Sequence, residues 1–196
     1  MIQKITDKHE KILEVAERLF EVNGFHATGV EEIVSKSGVT KRTLYKHFGS
    51  KEGLIEAVLS RHQLQAMNRI RKRVSEIGAE GGGRLLVCFD LYQEWFSRPC
   101  FAGCIFIKTL NEFQQRSDRL FAIAARAKSE LRDYLTGIAE EAGVSDPEHL
   151  AEQLQIILEG SIVVAQCGRR TESIRIAREL AEIVVAQQLP DQEKPG

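Results

Sequence analysis

The residues best equipped for chemistry fall in one run, Thr40-Lys41-Arg42-Thr43-Leu44-Tyr45-Lys46-His47-Phe48. Lys41, Arg42 and Lys46 carry positive charge, Thr43 and Tyr45 carry hydroxyls, and His47 carries an imidazole. Leu44 and Phe48, four apart, would share the opposite side of a helix. Such a set attracts polyanions and donates directed hydrogen bonds. The four cysteines, Cys88, Cys100, Cys104 and Cys167, are the other reactive groups. The opening residues MIQKITDKHEKILEVAERLF are amphipathic and lack an apolar signal core, so reduced thiols and a cytoplasmic protein are expected. Cys100 and Cys104 have no matching Cys or His pair nearby, which argues against zinc. His9, His26, His47, His62 and His149 are scattered and form no triad pattern. No metal, no cofactor and no enzymatic role are expected.

The elements that must hold these groups are helices. The chain has 196 residues, 43% of them hydrophobic and 28% charged, with only 4 prolines, which favours an all-α globular protein. No apolar run approaches the roughly 18 residues of a membrane span, so no membrane partner is expected. Ile12, Val15, Ala16, Leu19 and Phe20 mark one face of a helix over about 6–23, ended by Asn23-Gly24. Thr28-Gly29-Val30-Glu31 reads as a capping box, in which the Thr28 hydroxyl takes the Glu31 amide and the Glu31 carboxylate takes the Thr28 amide. Ser37-Gly38 interrupts that short helix, and Thr40 caps the next. Two short helices around a Gly-containing turn form a helix-turn-helix pattern. Ser50 caps a long helix over about 51–77, and Gly81-Gly82-Gly83 marks the clearest boundary. Five more helices are expected near 84–97, 103–114, 117–142, 148–167 and 172–188, punctuated by Pro99, Gly143 and Pro147.

Charge is unevenly spread. Residues 1–75 hold 14 Lys and Arg against 9 Asp and Glu, an excess of five, while the whole chain has a net charge of −1. The front half is therefore the part expected to approach a polyanion. In a helix-turn-helix the second helix enters the DNA major groove. Lys41 and Arg42 could donate to guanine, and Thr43 could contact a base or a thymine methyl. Tyr45, Lys46 and His47 are better placed for phosphates or groove walls. Thr28 and Lys51 begin helices whose free amides add attraction for phosphate. Gly24, Phe25, Ile33, Gly38, Val39, Leu44 and Phe48 are expected to be structural.

The stretch GFHATGVEEIVSKSGVTKRTLYKHFGSKEGL resembles, nearly position for position, the DNA-binding domain of the TetR family of bacterial repressors. The matching residues are Gly24-Phe25, Thr28, Val30, Ile33, Gly38-Val39, Thr43-Leu44-Tyr45, His47-Phe48 and Ser50-Lys51-Glu52 with Leu54. The match covers residues 9–60. Val34 stands where alanine is usual, and Arg42 where a small residue is frequent. The resemblance implies a three-helix DNA-binding domain over 1–50, a connecting helix over 51–77, and a helical effector-binding and dimerisation domain over 81–188, with 189–196 as a tail. It also implies a homodimer, a palindromic double-stranded operator, a small-molecule effector and a repressor role.

The second half permits these functions by its own pattern. Leu150, Leu154, Ile157, Leu158, Ser161, Val164 and Ala165 form one stripe, and Ala177, Leu180, Ala181 and Val184 another. Two such helices from each subunit would make a four-helix interface, with Gly160 and Ser161 allowing close approach, although both stripes could equally pack within their own subunit. Phe89, Tyr92, Trp95, Phe96, Phe101, Phe106 and Phe113 crowd into one segment. A hydrophobic core explains such crowding. The functional alternative is an apolar effector cavity lined by Phe89, Tyr92, Trp95 and Phe96, with Lys108 as a polar handle. Cys104, with or without Cys100, is a candidate for modification by an oxidant or electrophile, since a helix start lowers a thiol pKa and Gly103 leaves room for an attacker. A buried small hydrophobe is the other reading. Control by a protein partner instead of a small ligand remains the alternative function.

Overall fold

The computed structural model describes residues 2–77, 82–113 and 118–190. Among the described residues there are nine helices and no strand. They are α1 (Ile2–Asn23), α2 (Val30–Ser37), α3 (Lys41–Phe48), α4 (Lys51–Glu76), α5 (Gly83–Phe96), α6 (Ile105–Phe113), α7 (Asp118–Glu141), α8 (Pro147–Gln166) and α9 (Arg170–Gln188). The all-α expectation holds, and every helix read from the periodicity is present. Two compact units share them: Met1–Leu64 with Cys104–Ala127, and Gln65–Gly103 with Lys128–Gly196. The units part inside α4, not at the glycine run, of which Gly81 lies outside the described residues. Both α4 and α7 contribute to each unit.

In the first unit α1, α2 and α3 pack on one another. Ile12, Ala16, Phe20, Phe25, Ile33, Leu44 and Leu54 are completely buried there. Each such side chain contributes on the order of 1.5–3 kcal/mol by leaving water, which is why these short helices hold together. The corner after α1 depends on Gly24, whose φ of +83° suits a residue without a Cβ. Phe25 then turns inward against Phe20, with ring centroids 5.0 Å apart.

The expected capping box is not formed. Gly29 caps α2 with no side-chain hydrogen bond. Thr28 is fully buried, and its hydroxyl donates to the carbonyls of Gly24 at 2.7 Å and Leu19 at 3.3 Å. The hydroxyl finds its acceptors in the buried corner at the end of α1, since a buried hydroxyl left without a partner would be costly. Thr40 and Ser50 do act as expected: their hydroxyls accept from Thr43 N at 3.2 Å and Gly53 N at 3.0 Å. Phe48, expected in the core, is only half-buried.

In the second unit α9 packs against both α5 and α8. Here the stripes expected at a subunit interface prove largely internal. Leu150, Leu154, Leu158, Ser161, Ala165, Ala177 and Ala181 are all buried within the chain. The apolar residues that look outward are Ile156 (72% exposed), Val163 and Val164 on α8, and Ile176, Leu180 and Ile183 on α9; of these Val164 and Leu180 belong to the expected stripes and the other four do not. Hydrophobic periodicity locates the buried side of a helix; it cannot say which of two apolar sides is used first. Leu189 is buried, next to the site where a Cβ on Gly82 would meet Val185 and Leu189. Residues 191–196 lie outside the described residues.

Candidate nucleic-acid interface

The turn into α3 is set by Gly38, which has φ +66° and donates its amide to Val34 O at 3.0 Å. Leu44, completely buried, anchors the inner side of α3. Lys41, Arg42, Tyr45 and Lys46 are exposed on its outer side. Thr43 is half-buried, and its hydroxyl lies 2.9 Å from that of Thr40. The separation by face follows from the sequence: one apolar residue in the middle of an otherwise polar turn.

Lys41 does not stand alone. Its ammonium pairs with the Glu31 carboxylate of α2, whose hydrogen bond and charge raise the lysine pKa. The outer surface therefore presents a donor beside an acceptor. His47 is half-buried, with its ring 5.6 Å from that of His9 on α1. Burial, and then the charges of His9, Lys46 and Lys8, hold its imidazole below the usual histidine range. Lys51 is the first residue of α4 and is half-buried. Thr28 has no exposed side chain, so only the backbone near α2 could face a ligand there.

Three participants carry no local sequence signal. Glu31 and His9 are two, since only the fold brings them to α3. The third is Glu112 of α6. Its carboxylate accepts from Phe25 N at 3.0 and 3.1 Å and from His26 N at 2.8 Å. A Cβ on Gly24 would lie 2.6 Å from Glu112 Oε1, so the glycine also makes room for this contact. One turn earlier on α6, Lys108 donates to the carbonyl of Glu21. The ammonium expected as an effector handle thus caps the end of α1, and burial lowers its pKa.

The remaining effector candidates are divided between the two units. Cys104 and Lys108 belong to the first unit, and Phe89, Tyr92, Trp95 and Phe96 to the second. Phe89 and Phe96 are core residues, at most 1% exposed. Tyr92 and Trp95 are half-buried, edge to face at 5.4 Å, and Trp95 meets Phe101 at 5.0 Å. Cys104 is buried, whereas Cys100 is exposed. The space beside Gly103 is taken: a Cβ there would lie 2.1 Å from the Gln166 amide nitrogen. Glu17, Glu21 and His62 are the described residues grouped closely enough for a metal. Glu17 is already engaged by His62 Nδ1 at 2.7 Å and by Arg61 at 3.3 Å.

Comparison with known proteins agrees with this architecture. A sequence model of bacterial regulatory proteins of the tetR family matches residues 12–58, and one of the tetracyclin repressor-like C-terminal domain matches residues 81–181. The regulator YxaF of Bacillus subtilis, itself uncharacterized, is 52% identical over 54 residues; the match spans 26% of this chain and only 28% of that relative. The transcriptional repressor ComR of Escherichia coli is 26% identical across 87% of this chain and 85% of its own. Among solved structures, reduced NemR of E. coli superposes with a TM-score of 0.85 at 22% identity, covering 94% of this chain and 99% of that one. A TetR regulator from Chloroflexus aurantiacus gives 0.85 at 20% identity, covering 95% and 98%. With both halves matched by family models and the fold shared along its length, this chain belongs to the TetR family of bacterial regulatory proteins.

Proposed function

We propose that the chain is a sequence-specific DNA-binding repressor whose α3 enters the major groove. The observation carrying this reading is the division of α3 into a buried Leu44 side and an outer side of Lys41, Arg42, Tyr45 and Lys46. Arg42 is the donor suited to guanine, and the Lys41–Glu31 pair offers a donor beside an acceptor for neighbouring base edges. Thr43 contributes its methyl, and Tyr45, Lys46 and His47 hold phosphates. Backbone amides at the starts of α2, just after Thr28, and of α4, at Lys51, add attraction for phosphate.

The outward apolar face of α8 and α9 supports a homodimer, since Ile156, Val163, Val164, Leu180 and Ile183 gain by mutual burial. Two copies would then read a palindromic operator with recognition helices about 34–36 Å apart. A small apolar, aromatic or thiol-reactive effector would release the DNA by binding another arrangement more tightly. Tyr92 and Trp95 are the nominated contacts of an aromatic effector, Cys104 is separately the nominated target of a thiol-reactive one, and α4, continuous through both units, is the nominated carrier of the change.

The test is to recover and sequence genomic fragments bound by the purified protein. Enrichment of a short palindrome is expected, together with a dimeric mass in sedimentation. Uniform recovery, or a monomer at micromolar concentration, would contradict the corresponding part of this reading.

A further inference from the structure

Helices α1 and α3 bring four nitrogen bases to one corner. Lys8 and His9 come from α1, Lys46 and His47 from α3. The two imidazoles meet edge to face at 5.6 Å and 71°. Phe48 underlies both, stacked on His9 at 4.8 Å and tilted against His47 at 6.0 Å. Lys8 and Lys46 are exposed, and the two rings are half-buried. The floor is thus aromatic and the rim basic.

The electrostatics of this corner are one-sided. The charges acting on His47 are those of His9 and Lys8 from α1 and of Lys46 from its own helix, all of them cationic. A proton added to the His47 ring is repelled by these neighbours and by partial burial. An anion resting on the rim would reverse that balance. Protonation and anion binding would then favour each other by the same factor, as linkage requires. The corner adjoins the exposed side of α3, and α1 lies outside the recognition helix, so sequence reasoning about α3 passes it by.

We infer that Lys8, His9, Lys46 and His47 form one proton-linked site for a DNA backbone phosphate, which extends the contact surface of α3 onto α1. This rests on the DNA-binding reading above and adds to it a position and a pH dependence. The sign follows from linkage. DNA stabilises the protonated rings, so affinity rises as pH falls toward the titration range of the free protein and levels off below it. Each fully linked proton adds at most about tenfold in affinity per pH unit, and because His47 of the free protein is held below the ordinary histidine value of 6.5, the rise continues below that pH.

A phosphate contact needs no particular base sequence, so a short mixed-sequence duplex serves as the probe. Its affinity would be followed by fluorescence anisotropy at constant low ionic strength for the wild type, His9→Gln and His47→Gln. The expected result is several-fold tighter wild-type binding on acidification, with a shallower pH slope in each variant. Nuclear magnetic resonance titration of the histidine ring protons in the wild type decides the matter even if a variant fails to fold. Both His9 and His47 should titrate at higher pH with duplex than without it, and inorganic phosphate at the same phosphate concentration should not reproduce the shift. Duplex binding that ignores pH, with unmoved ring titrations, would overturn the site while leaving DNA binding intact. Equal shifts from inorganic phosphate would make it a free-anion site and overturn the DNA contact. Absence of duplex binding at every pH would remove this inference and the parent reading together.

Discussion

Between Gly24 and Leu54 the large buried side chains, Phe25, Ile33, Leu44 and Leu54, are apolar, and the groups able to touch a ligand stand outside them. Between Leu85 and Phe101 the side chains able to touch an apolar ligand are largely the ones that fill the core: Phe89, Phe96 and Phe101 are buried. The first region separates stability from recognition by residue type. The second uses aromatic residues for stability and leaves only the exposed parts of Tyr92 and Trp95 for anything else. A surface for a polar ligand therefore stands out by hydropathy, while a site for an apolar ligand is chemically indistinguishable from packing.

That contrast is sharpest in the core of the second region. Phe89→Ala should destabilise the protein by about 3–5 kcal/mol, measured by chemical denaturation, with Tyr92→Ala costing clearly less because part of its ring already meets water. Equal losses would mean that Tyr92 is a core residue and has no share in a ligand site. In the first region Thr40→Ala should cost about 1 kcal/mol through loss of the α3 cap. A null result there would show that α3 is held by Leu44 alone. The smallest effect concerns the thiols. Cys100 and Cys167 are exposed and should be alkylated first, with little change in stability. Cys88 should react last, since burial pushes its thiol up to about 12. Early labelling of Cys88, read by mass spectrometry of peptides, would mean that the second unit opens readily.

How far the sequence is legible follows from the range of its signals. Helix caps at Thr40 and Ser50, the positive-φ glycines and the burial of Leu44 are local, and each is recoverable from a few neighbours. Thr28 misleads because its side chain chooses between a helix start and the carbonyls of Gly24 and Leu19, and only the packed corner decides. Lys108, Glu112 and His9 are set by contacts across the fold, which no spacing along the chain encodes. The same limit explains α8 and α9. Their repeat shows that one side is apolar, but Leu154 is buried and Ile156 is 72% exposed, a difference set by how the helices pack.

The central claim is that the outer side of α3 reads DNA. The most direct test compares wild type with an Arg42→Ala, Tyr45→Ala double variant on the recovered palindrome and on a scrambled duplex, at one salt concentration. Because a good bidentate base contact such as that proposed for Arg42 is worth about 1–3 kcal/mol of discrimination, the variant should lose its preference for the palindrome by roughly tenfold or more while denaturing like the wild type. Loss of the Tyr45 phosphate contact should weaken both duplexes alike. An unchanged preference in a folded variant would contradict the claim and place recognition elsewhere on the molecule.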